Sequence, residues 1–280
     1  MTLHSSAGLI QVTDYYSTTG GGAAAGHVQF EKIKQGSSGT AIKLKAFEYT
    51  SRSAGSATIY PVSKSTAYRN DDGTGAIDTE YGYTWHTGTV RMEQRTTTFP
   101  AVPTSQHGSG TSATGVDRFD ILGNLIWTKD ALGVISRRIY DIPTGAVTRV
   151  IADVDTTQVS DEPSGWSTPS GAGLHLVSDF EFDALGRGTQ SLEPAHTVDL
   201  AGTATTVRRA TWTVHRETDH EQWSGQGYAT GSSPSYTYAL INPVSITRTD
   251  DSGRTIAQID ATRGSTSGKL VATDTFGQST

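Results

Sequence analysis

The side chains best suited to chemistry are concentrated in residues 215–221, which contain two histidines and three carboxylates. On a β-strand, Glu217, Asp219 and Glu221 would share one face and His220 would lie on the other. Paired carboxylates can hydrolyse a glycosidic bond, and a histidine beside a carboxylate can bind a metal ion. His215 and His220 are five residues apart and would therefore lie on opposite faces. We interpret the cluster as the exposed end of a strand and predict no catalytic residue there.

A second polar stretch, residues 70–78, has oxygen ligands at alternate positions and a glycine at the sixth, as calcium loops do. Tyr81 occupies the twelfth position, where a calcium loop needs glutamate, and Glu80 is one place short. A solvated hairpin tip explains the same residues. No phosphate-binding loop and no G-x-S-x-G motif is present, which argues against nucleotide enzymes and serine hydrolases. We predict no cofactor and no metal ion.

Aromatic residues in Gly/Ser-rich loops often form platforms on which a sugar ring can stack. Three residues are candidates for such stacking: Trp166, Trp223 and Tyr228. The opposing interpretation is that each ring folds back over the edge of a sheet. The other three tryptophans fall within strand patterns and are predicted to be core residues: Trp85, Trp127 and Trp212.

The composition excludes several classes of partner. The chain of 280 residues has 22 Lys and Arg against 28 Asp and Glu, a net charge of −6 and a pI of about 5.7. The basic residues are scattered, which argues against nucleic acid and anionic membrane surfaces as partners. There are no cysteines, and no apolar run approaches the ~18 residues of a membrane span. Residues 1–10 lack the charged and apolar regions of a signal peptide, so any export signal is expected outside this chain.

The elements that carry these residues have the period-2 alternation of β-strands. In Val207–His215, for example, Ala210, Trp212 and Val214 alternate with polar residues. The sequence therefore predicts an all-β chain. Stretches rich in Gly, Ser, Thr or Pro predict four loops or linkers: Gly20–Gly26, Pro103–Gly115, Asp161–Gly173 and Ser224–Ser235. The second is the best candidate for a boundary, and we interpret the others as long hairpin tips. We expect a β-rich region without clear repeats at 1–114 and a repeat region at 115–280, continuous in one sheet.

An aromatic-Asp-x-x-Gly motif recurs in the second region. The aromatic-Asp pairs are Phe119-Asp120, Tyr140-Asp141 and Phe182-Asp183, spaced by 21 and 42 residues, and two of them continue to Gly123 and to Gly186-Arg187. Weaker copies lie at Asp250–Arg254, which includes Gly253, and at Asp274–Gln278, and a half-period copy lies at Asp130–Gly133.

Each residue type in this motif has a physical role. An Asp at the first turn position can accept a hydrogen bond from the backbone two residues on, which favours a type I turn. Gly at the fourth position tolerates positive φ, so the chain leaves the turn as a bulged hairpin. The aromatic residue ends the preceding strand and packs on its cross-strand neighbours. A period of ~21 residues then corresponds to one hairpin with two strands of ~6–7 residues.

At these residues the sequence resembles the Rhs/YD-repeat family, whose signature is a recurring aromatic-Asp-x-x-Gly-Arg run. The best matches are Phe182–Pro194 and Phe119–Val134; residues 115–195 resemble the family well and 245–280 loosely. The resemblance implies a curved ribbon of repeated antiparallel hairpins, part of a shell or barrel wall. In larger relatives such shells enclose a toxin, and related animal proteins use the repeats for adhesion. The family's C-terminal Asp-Pro-x-Gly segments, its self-cleavage site and a toxin domain have no counterpart here.

The resemblance therefore implies a structural, non-enzymatic role in an extracellular or cell-surface protein. The expected partners are the rest of a larger Rhs-type polypeptide, or neighbouring β-edges, because the ends of a repeat array have open edges. An adhesin or carbohydrate-binding module that uses Trp166, Trp223 and Tyr228 is the alternative, with a surface glycan as its partner. A lyase or glycosidase ranks third.

Overall fold

The structure, a computed structural model, describes residues 5–277 and consists almost entirely of β-strands. Three single 3₁₀ turns, at Thr104–Gln106, Thr156–Gln158 and Glu217–Asp219, interrupt the strands. The strands in chain order are β1 (Leu9–Tyr15), β2 (Val28–Gln35), β3 (Ile42–Tyr49), β4 (Arg52–Ala54), β5 (Ala57–Ile59), β6 (Val62–Tyr68), β7 (Ala76–Trp85), β8 (Met92–Thr98), β9 (Thr114–Phe119), β10 (Leu125–Lys129), β11 (Ile135–Tyr140), β12 (Val147–Ala152), β13 (Leu176–Phe182), β14 (Gly188–Leu200), β15 (Thr203–Arg216), β16 (Glu221–Ser232), β17 (Ser235–Thr249), β18 (Thr255–Arg263) and β19 (Phe276–Gly277).

The all-β prediction is confirmed. Successive strands pair antiparallel, as expected for a chain of hairpins with short connections. The alternation predicted for Val207–His215 is present in β15, where Ala210 and Trp212 are buried and Arg209 is exposed. Within residues 5–277, no helix has the length and apolar character needed to cross a membrane.

The chain divides into two compact units, one ending at Ile135 and the other beginning at Ser136. The predicted boundary between residues 114 and 115 concerns the start of the sequence repeats, and it stays a prediction.

In the first unit the strands pair in the order β1–β2–β3–β6–β7–β8–β9–β10, and β4 and β5 form a separate hairpin. Most strand residues of this unit remain partly exposed; all seven residues of β8 are half-buried. Its aromatic side chains lie along the sheet, as with Tyr83 and Trp85, whose ring centroids are 5.7 Å apart. Trp127 is buried and Trp85 is half-buried.

In the second unit each strand from β11 to β19 pairs with the next. The strands β14 to β17 are 12 to 15 residues long, and a buried cluster lies on them. The cluster comprises Leu192, Ala210, Trp212, Trp223, Ala229, Leu240, Val244, Ile246, Ala261 and Leu270. Leu270 comes from the segment between β18 and β19, which covers one face of the long strands. The predicted core position of Trp212 is confirmed by its 2% exposure.

The hairpin tip predicted at Ser224–Ser235 is much shorter than expected. Residues 224–232 belong to β16, and only residues 233–234 turn. The prediction took the glycines of this stretch as a sign of a loop, but in β16 they allow close packing. A Cβ atom on Gly227 would lie 2.1 Å from the carbonyl oxygen of Ala239 and 2.7 Å from the Trp212 ring. A strand glycine often marks such a close approach. The other three predicted loops are largely irregular in the structure, although β9 begins at Thr114.

Candidate functional site

The aspartates of the repeated motif each organise a turn between two strands, beginning with Asp120 between β9 and β10. One carboxylate oxygen, Oδ1, accepts hydrogen bonds from the backbone N–H groups of Leu122 and Asn124, both at 2.9 Å. The backbone N–H of Gly123 donates to the carbonyl of Asp120 at 3.0 Å, which closes the turn. The backbone N–H of Asp120 donates to the carbonyl of Asn124, also at 3.0 Å. The predicted hydrogen bond two residues on is confirmed.

The same four hydrogen bonds recur at three other aspartates. In each, Oδ1 accepts from residues two and four positions on, at 2.9 to 3.0 Å, and the glycine N–H closes the turn. These aspartates are Asp130, Asp183 and Asp250. The half-period copy at Asp130 and the weaker copy at Asp250 are therefore the same turn. The turns at Asp120 and Asp130 lie at opposite ends of β10, so this repeat of the sequence contains two turns of the same kind.

Glycine is required at the fourth turn position by backbone conformation. The φ angles of Gly123, Gly186 and Gly253 are 94°, 77° and 78°, a region that a side chain disfavours. A Cβ atom added to any of the three would meet nothing within 4 Å, so space is not the constraint. Register shifts beside these turns confirm the predicted bulged hairpins.

The fifth residue of the motif has a role that our sequence analysis missed. Its side chain donates to the second carboxylate oxygen, Oδ2, of the same aspartate. Asn124 Nδ2 lies 2.9 Å from Asp120 Oδ2. Arg187 Nε lies 2.8 Å from Asp183 Oδ2, and Arg254 Nε lies 2.8 Å from Asp250 Oδ2. The signal was the Arg or Asn that follows the glycine in three of the copies.

Two copies deviate from the pattern. The turn at Asp141 is one residue longer: Gly145 donates to the Asp141 carbonyl at 2.8 Å, and the carboxylate binds the Thr144 hydroxyl. The predicted copy at Asp274–Gln278 is wrong over its described residues. Asp274 ends a turn, since its N–H donates to the Val271 carbonyl, and its carboxylate binds the Arg263 side chain. Gln278 lies outside the described residues.

The aromatic residues of the motif end their strands as predicted. Phe119, Tyr140 and Phe182 are the last residues of β9, β11 and β13. Their packing varies, since Phe182 remains 37% exposed.

The turn hydrogen bonds stabilise ionised carboxylates. The pKa of Asp183 is lowered, chiefly by the backbone N–H of Arg187 and also by its guanidinium. The pKa of Asp250 is lowered in the same way by Arg254. At Asp120, burial opposes the shift, but the hydrogen bonds from Asn124 and the backbone prevail and the pKa is lowered. An ionised carboxylate is therefore part of the folded turns at Asp120, Asp183 and Asp250.

Adjacent turns at one end of the second unit are connected to each other. Arg187 of the β13–β14 turn pairs with Glu217 of the β15–β16 turn. The N–H of Thr249, at the end of β17, donates to the His220 carbonyl at 2.9 Å. His220 Nε2 also lies 3.5 Å from a carboxylate oxygen of Asp251. The turns thus form a connected row.

The polar cluster at residues 215–221 belongs to this row and does not lie on a single strand. β15 ends at Arg216, and a 3₁₀ turn at Glu217–Asp219 follows, so the predicted common face of the three carboxylates is wrong. Glu221 begins β16, and its side chain is only 6% exposed.

Each carboxylate of the cluster is paired with an arginine. Glu221 accepts from Arg248 Nε at 2.6 Å and Arg216 at 3.3 Å, and also from Trp223 Nε1 at 2.8 Å. Burial raises the pKa of Glu221, but these hydrogen bonds and charges outweigh it, and the pKa is lowered. Asp219 pairs with Arg216, and the pKa of Glu217 is lowered by Arg187. Glu217 and Glu221 favour the ionised form and are poorly suited to act as general acids. No group of three metal-binding side chains occurs in the described part of the chain.

The acidic stretch at 70–78 is a hairpin tip between β6 and β7. Asp72 accepts from the N–H and hydroxyl of Thr74 at 2.9 and 2.6 Å, and Asp78 accepts from Thr66 on β6. Asn70, Asp72 and Asp78 are thus engaged in the turn and the sheet.

The three candidate stacking residues lie in different environments. Trp223 is in β16, is 2% exposed and packs edge-on against Phe276 at 4.9 Å, so its predicted availability in a loop is wrong. Tyr228 also lies in β16 and is half-buried. Trp166 is in the loop between β12 and β13 and is half-buried.

Two buried arginines of the second unit were missed by the sequence analysis. Arg208 donates to the carbonyls of Val177, Leu192 and Glu193, to Asp179 and to the Tyr236 hydroxyl, all at 2.6 to 2.8 Å. Arg263 donates to four carbonyls of residues 265–269 and to Asp274. The alternation of the strands could have indicated both burials. Arg208 lies two residues before Ala210 on β15, and Arg263 lies two residues after Ala261 on β18, so each arginine is on the same face of its strand as a buried alanine.

No family model matches the chain, and no curated protein matches it. Among solved structures, the TcdB2-TccC3-Cdc42 complex is similar at 11% identity and a TM-score of 0.36, covering 91% of this chain and 15% of that chain. The Tc holotoxin pore of Photorhabdus luminescens is similar at 11% identity, over 90% of this chain and 16% of the other, with a TM-score of 0.16. The TcdB2-TccC3 structure is similar at 13% identity, over 90% of this chain and 17% of the other, with a TM-score of 0.16. This chain thus spans about a sixth of the length of each, and likenesses this distant assign it no function.

Proposed function

We propose that this chain is a structural segment of a secreted or cell-surface Rhs/YD-repeat polypeptide, forming part of a wall that encloses or displays another domain. In this role the chain supplies rigid antiparallel sheet, and the repeated turns determine how one strand is connected to the next. The proposal assigns no catalysis to it.

The observation that carries the proposal is the recurrence of one turn geometry. Asp120, Asp130, Asp183 and Asp250 make the same backbone hydrogen bonds, although three different residue pairs stand between Asp and Gly: Ile-Leu, Ala-Leu (twice) and Asp-Ser. A repeated turn of fixed geometry adds strands to a sheet without requiring a closed core, which suits an extended wall.

The carboxylates that could have done acid–base work are engaged in ion pairs. Glu221 and Asp219 share Arg216, and Glu217 pairs with Arg187. These pairs connect neighbouring strands and turns, which favours a structural role for the cluster. The glycan-binding alternative loses one of its three candidate rings, because the Trp223 side chain is buried.

The gene itself tests the proposal. We expect the reading frame to continue beyond this segment with further aromatic-Asp-x-x-Gly motifs at ~21-residue spacing, and an export signal upstream. Limited proteolysis of the full-length product should then show that a neighbouring domain is protected while the wall is intact.

A start codon directly at Met1 and a stop codon directly after Thr280 would contradict the wall proposal. A fluorescence change of the tryptophans on addition of a polysaccharide, lost in Trp166→Ala, would support the adhesin alternative instead.

A further inference from the structure

A cleft of about 370 Å³ lies in the second unit, between the start of β13, the strands β14 and β15, and the hairpin tip between β16 and β17. Two of its apolar lining residues, Val207 and Ala229, are 4% and 1% exposed. Leu174 and Leu176 also line it and remain 73% and 38% exposed. The volume is in the range of small-molecule sites, which combine apolar walls with a few polar groups. We call it the Arg149 cleft.

The charged side chains that line the Arg149 cleft are all basic. They are Arg149, His175 and Arg208, and no acidic residue lines the cleft among those that the structure describes. Beside them, Asp179 bonds Arg149 through one carboxylate oxygen and Arg208 through the other. Two guanidinium groups thus share one carboxylate, and the three groups together carry a net positive charge. An anionic group is the complementary ligand.

Arg208 contributes charge to the cleft but has no hydrogen bond left for a ligand. A guanidinium carries five N–H donors. Those of Arg208 are matched by three backbone carbonyls, Asp179 and the Tyr236 hydroxyl. Arg208 therefore fixes the position of Tyr236 and leaves direct binding to other groups.

Three other lining groups keep a donor that the described part of the chain does not use. Arg149 forms its ion pair through Nε alone, which leaves both of its Nη groups. The Tyr236 oxygen accepts from Arg208 Nη1 at 2.8 Å, so the hydroxyl proton is left to donate. His175 Nδ1 accepts from the Asp155 N–H at 3.2 Å, which places the proton of the neutral ring on Nε2.

The wall that carries His175 is held in a strained backbone conformation. Asp153 and His175 have φ angles of 51° and 50°, in the left-handed region. The Asp153 carboxylate accepts from the N–H groups of Gly173 and Leu174 at 2.7 and 2.9 Å, and the His175 N–H donates to the Asp153 carbonyl at 2.8 Å. Residues held in this region cost energy and cluster at binding and catalytic sites. The strain indicates that the position of His175 beside the cleft has a use.

We propose that the Arg149 cleft binds a small organic acid in which a carboxylate is joined to an apolar aryl or alkyl body. The carboxylate accepts from Arg149 Nη, His175 Nε2 and the Tyr236 hydroxyl. The apolar body packs on Val207 and Ala229. An inorganic anion would leave these apolar walls without contacts, and a neutral apolar molecule would leave the donors unmatched. The inference goes beyond the wall role and does not depend on it.

Isothermal titration calorimetry of the whole chain tests the proposal. The probe is phenylbutyrate, and its amide, phenylbutyramide, is the matched neutral probe of nearly the same shape. We expect saturable binding of the acid and roughly tenfold weaker binding of the amide, because the charged hydrogen bonds are lost. Equal affinities for the two probes would overturn the proposal.

Substitutions locate the binding. Arg149→Gln should weaken phenylbutyrate binding roughly tenfold, and Tyr236→Phe roughly threefold, since the second removes a neutral donor. Arg209→Gln is the matched control, because Arg209 is exposed on β15 and does not line the cleft; it should bind as the parent does. Thermal unfolding of each variant shows that the fold is retained.

A further variant blocks the cleft without removing any of its hydrogen-bonding side chains. Ala195 is exposed and lines the cleft, so the ring of Ala195→Phe should occupy part of the volume and weaken phenylbutyrate binding more than tenfold. Unchanged binding by Ala195→Phe and Arg149→Gln would overturn the assignment of the site.

A peptide distinguishes a small acid from the end of a polypeptide. A short peptide that ends in phenylalanine with a free C-terminus presents the same carboxylate and an apolar group. Weaker binding of this peptide than of phenylbutyrate supports the small acid. Tighter binding would overturn that choice, because the cleft would then belong to a polypeptide terminus. The reading frame tests the wall proposal separately, so either proposal can fail while the other stands.

Discussion

At the scale of single residues, the turn depends on three groups with separate roles. The Asp carboxylate gathers two backbone N–H groups on Oδ1, as Asp183 does with Leu185 and Arg187. The fifth residue binds Oδ2, and the glycine supplies a positive φ. Each role rests on local hydrogen bonds or local backbone conformation, so each can be tested by one substitution.

Gly186→Ala should destabilise the fold by roughly 1–2 kcal/mol, the cost of placing an L-residue in the left-handed region. No atom lies within 4 Å of the added Cβ, so steric contact contributes nothing. Urea unfolding measures the change. Gly188→Ala is the matched control, because it also has open space but no positive φ, and it should leave the midpoint nearly unchanged. Equal losses in the two variants would contradict the conformational explanation.

Acid should weaken the turns in a defined pH window. The pKa values of Asp120, Asp183 and Asp250 are lowered by folding, so their stabilisation is complete above the unfolded value near 3.8. It is lost as the pH falls through the lower folded values. We expect the urea midpoint to be insensitive to these groups above about pH 5 and to fall below pH 4.

Asp183→Asn should reduce the acid dependence, because the amide does not titrate. Asp251→Asn is the control: its side chain is 99% exposed and accepts none of the turn bonds, so the acid slope should persist. A slope unchanged by Asp183→Asn would count against the turn aspartates as its source.

At the scale of elements, β16 shows why a strand can have the composition of a loop. Its sequence is rich in Gly and Ser, yet it is paired on both sides. Gly225 and Gly227 make room for Leu240, Leu270 and Trp212. The glycines bring the sheet into contact with the segment that follows β18.

Gly227→Ala should destabilise the protein by about 1–3 kcal/mol, as overpacking does, since its Cβ would lie 2.1 Å from the Ala239 carbonyl oxygen. Gly225→Ala should cost less, because its nearest atoms are flexible side-chain carbons of Leu240 and Leu270 at 3.1 Å. Thermal unfolding ranks the two variants, and the reverse order would refute this packing explanation.

The sequence predicted the features that depend on neighbours along the chain. Asp120 and Gly123 could be assigned because their turn is made by five consecutive residues. Trp223 could not, because its burial depends on Phe276 and on the register of β16 against β17. Arg208 was missed for the same reason: its acceptors lie on β13, β14 and β17.

At the scale of the whole molecule, the two units differ in how they bury apolar surface. The buried cluster of Trp212, Trp223 and their neighbours lies in the second unit. Strands of the first unit remain half-buried, as β8 does. Apolar burial is the main stabilising term of folding, so the units should differ in local stability.

Native-state hydrogen exchange should therefore be slowest in β14–β17 and faster throughout β2–β9. Buried clusters give the highest opening free energies. Exchange followed by mass spectrometry on peptides from both units measures the difference. Equal protection in the two regions would show that the cluster does not set the order of opening.

The exposed middle of each turn has an evolutionary consequence. Leu122, Leu132 and Leu185 sit at the turn tips and are 58%, 82% and 74% exposed, and the bonds that define the turn come from their backbone N–H groups. The side chains at these positions make none of the turn's hydrogen bonds, so we expect them to vary freely, while the Asp, the Gly and the fifth residue are constrained. A chain built in this way can keep its turns and its strand pairing while most of its other residues change.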